Sequence, residues 1–168
     1  MTEVKWPTGK TGYAMRKEIT KHADAILDGK VLAVDPASKS AGWATYISSS
    51  LVSSGVFTAP DSMPINRRLW KLADDLAKLE KPDVLVVEKI RGSMAHIYLL
   101  WSVGMVVSTI KAPILLEMPV SVWRSFRPEG YEKNDRNDAE MIGSTLIALA
   151  QDIRDNPGAS SPNKRTEL

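Results

Sequence analysis

Cysteine is absent from this 168-residue chain, and histidine is scarce, with only His22 and His96 present. The absence of cysteine excludes disulfides, thiolate zinc sites and a cysteine nucleophile. Because imidazole ligands are scarce, a metal site in this protein has to be built mainly from carboxylates, which suit Mg²⁺ or Mn²⁺.

Long hydrophobic runs and a strong net charge are also lacking. No apolar run approaches the roughly 18 residues that indicate a membrane span, and residues 1–10 contain no apolar core of a secretory signal. We therefore expect a cytoplasmic protein without membrane contact, in a bacterial cell or, if a virus encodes it, in the host. The formal net charge is only +2, so binding to nucleic acid has to depend on a local basic patch.

Two unbroken apolar runs that each end in an acid are the strongest features of the sequence. They span residues 31–35 and 84–88 and end in Asp35 and Glu88. Such runs are typical of strands buried on both faces, as in the centre of a sheet. Further strands are predicted at 42–47, 51–57 and 113–118. Short turns join the first three strands, so these should be antiparallel.

Apolar residues at helical spacing predict helices at 13–27, 65–79, about 93–110 and 134–150, with a helical turn at 121–126. The resulting order predicts an α/β domain with a mixed five-stranded sheet, three antiparallel strands and then two parallel ones, and helices on both faces. We assign this domain to residues 30–151. A polar, partly helical extension at 1–29 is expected to be solvated, and residues 152–168 are expected to form a flexible tail.

Asp35 and Glu88 end strands that should lie side by side. The carboxyl ends of neighbouring parallel strands meet at one crevice, where α/β proteins usually place ligands. Burying an unpaired carboxylate is costly, so either a cation balances these acids or the strands end in solvent. A single acid in this position often has no role beyond ending the strand. Two acids at corresponding positions of neighbouring strands favour a functional site.

Asp135 and Asp138 lie three residues apart in the first turn of the last helix and so share one face. A helix N-terminus favours negative charge, and this alone would explain both acids. If the helix begins over Asp35 and Glu88, however, four carboxylates meet and repel one another unless divalent cations bind. Oxygen ligation of two ions held about 4 Å apart is an arrangement that hydrolyses phosphodiesters.

The sequence motifs around these acids resemble those of the RuvC family of Holliday-junction resolvases, most closely its compact viral members. The matching segments, within residues 31–150, are VLAVDPASKSAGWATY with Asp35, VLVVEK with Glu88, and the start of the last helix with Asp135 and Asp138. The resemblance implies a ribonuclease-H-like fold and two Mg²⁺ or Mn²⁺ ions bound by these four acids. It also implies a catalytic lysine, for which Lys133 is the candidate.

The same resemblance implies a homodimer that nicks two opposed strands of a four-way junction and leaves 5′-phosphate and 3′-hydroxyl ends. An aromatic residue that enters the junction centre would correspond to Tyr98, although such a residue is more often core or dimer interface. Apolar groups on more than one face of the helix at 93–110 favour a dimer contact there.

Side chains suited to contacting phosphates surround the acids. Each surface cation alone is as easily a solvating group, and only the clustering favours DNA binding. The predicted DNA contacts are Ser38, Lys39, Lys89, Arg91, Tyr98, Arg124, Arg127 and Arg136.

Three functions are therefore open. The first is a crossover junction endodeoxyribonuclease, and the second is a less selective flap or branched-DNA nuclease or a transposase-like catalytic domain. The third is a non-catalytic nucleic-acid-binding module of the same fold. The presence of all four acids argues against the third, because a site without function has no reason to keep like charges together. A small-molecule substrate is not expected.

Overall fold

The computed structural model describes residues 4–90 and 97–158. The helices and strands within these ranges follow the order α-β-β-β-α-β-α-β-α-α. In chain order they are α1 (Gly9–Asp28), β1 (Lys30–Pro36), β2 (Ser40–Ile47), β3 (Ser50–Thr58), α2 (Ile65–Ala77), β4 (Val84–Lys89), α3 (Ile97–Ile110), β5 (Ile114–Pro119), α4 (Val120–Ser125) and α5 (Asp135–Asp155).

The five strands form one mixed sheet in the order β3-β2-β1-β4-β5. Strands β1, β2 and β3 are antiparallel, whereas β4 pairs in parallel with β1 and β5 pairs in parallel with β4. The predicted sheet is therefore confirmed. The two apolar runs ending in acids are the central strands β1 and β4, where both faces are covered and every apolar side chain is buried.

Helices cover both faces of the sheet. On one face, α1 and α5 pack over Val31, Ala33, Val84 and Val86. On the other face, α2 and α3 pack over the alternate residues of the same strands. Because side chains alternate across a strand, the face on which a residue of β1 or β4 lies follows from its position in the strand.

The N-terminal segment differs from the expected solvated extension. Helix α1 contains the predicted helix at 13–27, but Ile19, Ile26 and Leu27 are buried in the same cluster as the inner face of α5. The indole N–H of Trp6 also donates to Asp152 Oδ2 at 2.6 Å. Helix α1 thus completes the core on that face of the sheet.

The flexible tail was predicted to begin at residue 152, which is earlier than in the structure. Helix α5 continues to Asp155, and Arg154 donates to the carboxylates of Asp24 and Asp28 on α1. Residues 152–155 are therefore helical and in contact with the rest of the domain. No helix within residues 4–90 and 97–158 has the length and apolar character needed to cross a bilayer.

Candidate active site

Strand register places Asp35 and Glu88 next to each other. Val34 on β1 is paired with Val87 on β4, and the two acids are the next residues along each strand. Side-chain alternation puts both acids on the α5 face, since Ala33 and Val86, two residues earlier, pack beneath α5. Two strands from separate parts of the sequence thus present two carboxylates to one helix.

The start of α5 lies directly on the sheet beside these acids. Gly42 on β2 is the partner of Asp35, and a Cβ built on Gly42 would lie 1.8 Å from the main-chain oxygen of Asp135. Only glycine allows the two backbones to approach this closely. This contact brings the first turn of α5, with Asp135 and Asp138, to the end of β1.

A local cap fixes where α5 begins. The side chain of Asn134 accepts a hydrogen bond from the main-chain N–H of Asn137 at 2.8 Å, which satisfies one of the free amides of the first turn. The Asn137 side chain in turn donates to the main-chain oxygen of Glu132 at 2.8 Å. These two hydrogen bonds fix Asp135 as the first residue of α5 and place both acids in its first turn.

The electrostatics of Asp35 reflect the convergence of the four acids. Burial, followed by the negative charges of Glu88, Asp138 and Asp135, raises the pKa of Asp35 from 3.8 to about 8, against the opposing effect of Lys133. Like charges around a partly buried carboxylate disfavour its ionised form. The four acids thus lie near enough to interact electrostatically, and Lys133, although exposed, acts on the same carboxyl.

Glu88 has a more balanced environment. Burial raises its pKa, and the Arg124 guanidinium opposes this effect. A cavity of about 550 Å³ opens beside Glu88, with Lys89, Ser121 and Arg124 among its lining residues. Glu88 therefore lies between the other three acids and a cavity that is lined in part by the basic side chains of Lys89 and Arg124.

The two acids of α5 are engaged with neighbouring residues. Ser40 Oγ donates to Asp135 Oδ2. Asp138, which is only 5% exposed, accepts hydrogen bonds at Oδ1 from Tyr131 at 2.6 Å and from Arg127 at 3.2 Å. In this arrangement no three acidic or histidine side chains within residues 4–90 and 97–158 are grouped closely enough to hold a metal ion together.

The predicted DNA-contacting residues divide into two groups. Lys89 and Arg124 lie around the acids, as does Lys133, the candidate catalytic lysine. Lys89 is also 3.7 Å from Glu117, and Arg124 lies close to the Trp123 ring. Arg127 is bound to Asp138 inside the cluster.

The others have different surroundings. Lys39 pairs with Asp61 at 3.0 Å, and Arg136 donates to Ser54 and Glu140, which attaches α5 to β3. Ser38 is half-buried next to Lys39, and Tyr98 is exposed on α3 with its ring against Trp101. Arg91 lies outside the described residues.

Sequence reasoning missed Ser40, Gly42 and Tyr131 as parts of the site. Ser40 and Gly42 lie on β2 and reach α5 only through tertiary packing, so no periodic pattern marks them. Tyr131 had a local signal: its N–H donates to the oxygen of Pro128, and Gly130 has a φ of +74°. A Pro-Glu-Gly-Tyr sequence is typical of a tight turn with glycine in its third position.

Solved structures with the same architecture come from Thermus thermophilus. A RuvC from this organism, determined in complex with a Holliday junction substrate, has a TM-score of 0.55 and 14% sequence identity, with 80% of this chain and 99% of that chain covered. A second Thermus thermophilus RuvC structure has a TM-score of 0.52 and 15% identity at the same coverage. The chain has a RuvC-like fold. No protein-family model and no curated protein matches the sequence.

The likeness to RuvC confirms the predicted ribonuclease-H-like fold. At 14–15% identity it is a likeness of architecture, and the roles of individual residues have to be argued from the chemistry of this site. In the RuvC-like fold, Asp35 and Glu88 end the two central strands and Asp135 and Asp138 open the final helix.

Proposed function

We propose that this protein is an endonuclease that depends on divalent cations and resolves Holliday junctions or other branched DNA by paired nicking. The observation that carries the proposal is the arrangement of Asp35, Glu88, Asp135 and Asp138, which the register of β1 and β4 and the contact of Gly42 with the start of α5 bring to the same end of the sheet. The RuvC-like fold supports it, because one of the similar structures is a complex with a Holliday junction substrate.

The residues of the site fit Mg²⁺ or Mn²⁺ by their chemistry. All four candidate ligands are carboxylates, which are the oxygen donors that hard cations prefer. Burial and, after it, repulsion by the other acids raise the pKa of Asp35, and a bound cation relieves this repulsion. Because Asp135 and Asp138 are held by Ser40 and Tyr131, small changes in their side chains have to accompany ligation. Two bound ions would supply Lewis-acid activation of a water and stabilisation of the leaving oxygen.

The side chains around the acids have complementary roles in this proposal. Lys89, Arg124 and Lys133 neutralise the phosphates on each side of the cut and bring the strand to the carboxylates. The cavity beside Glu88 gives room for the nucleotide next to the cleaved bond. Asp35 and Glu88 remain fixed because they end buried central strands, which keeps their positions precise.

The first experiment is cleavage of a synthetic four-way junction in Mg²⁺ or Mn²⁺. We expect symmetric nicks in opposed strands with 5′-phosphate ends, which DNA ligase can rejoin. Asp35→Asn removes one negative charge with little change in shape, so this variant should bind the junction and fail to cut it. Retained cutting by Asp35→Asn would contradict the assignment of the active site.

A matched control is Asp74→Asn. Asp74 lies on α2, across the sheet from α5, and pairs with Lys78 on the surface. The same chemical change there should leave cutting at the wild-type rate. Loss of activity in both variants would indicate a general effect of charge or stability.

The choice of substrates separates the alternatives. Equal rates on junctions, flaps and nicked duplexes would favour a less selective branched-DNA nuclease. Binding to junctions without cleavage under any divalent ion, and without stabilisation by such ions, would favour a non-catalytic binding module. The proposal requires that the junction be cut faster than an unbranched duplex of the same sequence.

A further inference from the structure

Arg127 was predicted to contact DNA, but its surroundings in the structure are internal. Its guanidinium carbon lies 4.5 Å from the centre of the Trp123 ring and 4.7 Å from that of Tyr131. Its Nη2 donates to Asp138 Oδ1 at 3.2 Å. A guanidinium in contact with two aromatic rings and bonded to a buried carboxylate is restricted in direction. Arg127 is therefore poorly placed to reach a phosphate.

Tyr131 converges on the same oxygen of Asp138. The turn that begins at Pro128, with Gly130 at a φ of +74°, returns the chain so that the Tyr131 hydroxyl donates to Asp138 Oδ1 at 2.6 Å. No other described side chain donates to Asp138 within hydrogen-bonding distance. One oxygen of this carboxylate is thus bound twice, and the other is left for a further partner.

We propose that Arg127 and Tyr131 are positioning residues, which hold Oδ1 of Asp138 so that Oδ2 is available to the cation of the proposed active site. This inference rests on the proposed function, because it assigns a purpose to Asp138 as a ligand. When one oxygen of a carboxylate binds a metal, residues that hydrogen-bond to its other oxygen fix the orientation of the side chain and commonly contribute to metal affinity. The segment 127–131 becomes part of the active site without touching DNA or metal.

Two other roles compete with this one. If Arg127 contacts phosphate, its loss should weaken junction binding with or without metal. If Arg127 and Tyr131 only close the loop before α5, their loss should lower stability and leave metal affinity unchanged. Both alternatives differ from the proposal in the affinity for metal measured without DNA.

The test is a calorimetric titration of the full chain with Mn²⁺ in the absence of DNA. Tyr131→Phe removes one hydrogen bond to Asp138 and keeps the ring against Arg127, so we expect Mn²⁺ affinity to fall about tenfold. Arg127→Lys keeps the charge and loses the planar contact, and it should lower the affinity to a similar degree. Junction binding in EDTA should remain at the wild-type level in both variants.

Tyr46→Phe is the matched control. The Tyr46 hydroxyl also donates to α5, at the main-chain oxygen of Glu140 over 2.7 Å, away from Asp138. This variant should lose stability but keep wild-type Mn²⁺ affinity. Unchanged Mn²⁺ affinity in Tyr131→Phe, or a loss equal to that of Tyr46→Phe, overturns the inference alone. Absence of Mn²⁺ binding by the wild-type protein overturns the proposed function and this inference together.

Discussion

Asp35 carries an energetic cost when no cation is bound, because its carboxylate is partly buried beside three other acids. Its raised pKa means that the folded protein holds this proton more tightly than the unfolded chain does. Stability therefore falls as pH rises from about 4 to about 8 and changes no further, for this group, above its folded pKa. A catalytic site with unfavourable charges in its empty state is common where binding of an ion compensates the repulsion.

The corresponding prediction concerns Asp35→Asn in the metal-free protein. The neutral amide avoids the cost of holding a buried charge beside three other acids, so the variant should be more stable than the wild type at pH 8, by up to about 5 kcal/mol. The difference should shrink as pH falls and disappear below about pH 3, where the wild-type carboxyl is protonated in both the folded and the unfolded state. Urea unfolding in EDTA at several pH values measures it, and parallel stability curves for the two proteins would contradict it.

At the scale of single residues, the sequence predicted the acids better than their partners. Asp35 and Glu88 stand out because each ends an apolar run, and Asp135 and Asp138 stand out because they share a helix face. The hydrogen bonds from Ser40 and Tyr131 depend on how a strand and a loop meet α5, and side-chain contacts between distant segments leave no periodic signal. The internal position of Arg127 was missed for the same reason.

At the scale of elements, the site depends on how α5 packs against the sheet. Gly42 meets the first residue of α5, and Gly143 meets the Tyr46 ring, so that a Cβ on Gly143 would lie 2.3 Å from a carbon of that ring. Two glycines at separate points thus allow the helix to lie close to β1 and β2. This close packing brings the first turn of α5, with Asp138, near the end of β1.

Gly42→Ala should displace the start of α5. The added methyl group meets main-chain atoms of Asp135, which cannot move aside as a flexible side chain would, and we expect a loss of about 1–3 kcal/mol in stability. A shift of about 1 Å in the acids should lower the cleavage rate about 100-fold. Junction cleavage and urea unfolding of the same preparation measure both effects.

Gly104→Ala is the control for the loss of a glycine. Gly104 lies on α3, and nothing is within 4 Å of a Cβ built there. Alanine in the middle of a helix should leave stability equal or raise it by up to about 1 kcal/mol. Wild-type activity in Gly42→Ala would show that the site does not depend on the close approach of α5.

The elements themselves were largely predictable, with the errors at the two ends of the chain. Strands β1 and β4 were marked by unbroken apolar runs, and the other strands by short turns. In α1 the buried residues Ile19, Ile26 and Leu27 are separated by many charged ones, so the apolar spacing predicted a helix, whereas the polar composition of the segment favoured a solvated extension over a part of the core. The end of α5 was placed too early because its last turn is polar and is held by Arg154.

At the scale of the whole molecule, the proposed paired nicking requires two active sites that face one junction, which a homodimer would supply. Helix α3 has a candidate surface for such a dimer, since Tyr98, Leu100 and Trp101 are all exposed large hydrophobic residues on it. The rings of Tyr98 and Trp101 lie edge to face with their centres 5.7 Å apart. Neighbouring exposed aromatic and aliphatic groups of this kind favour burial against a protein partner.

The double variant Leu100→Glu, Trp101→Glu should therefore be a monomer. Charges introduced at the centre of an interface are expected to weaken the free energy of dimer association by at least about 2 kcal/mol. Sedimentation velocity at micromolar protein detects this change as loss of the dimer. A cruciform plasmid reports the functional consequence. The wild type should linearise the plasmid by paired cuts, and the monomer should release nicked circles, because each monomer carries one active site.

Trp70→Glu provides the comparison, because Trp70 is a tryptophan on α2 that is 61% exposed, against 51% for Trp101. If α3 forms the interface, Trp70→Glu remains a dimer and linearises the plasmid. A dimer that persists in the α3 variant places the interface elsewhere. If a variant that is shown to be a monomer still produces linear plasmid, the second cut does not require a stable dimer.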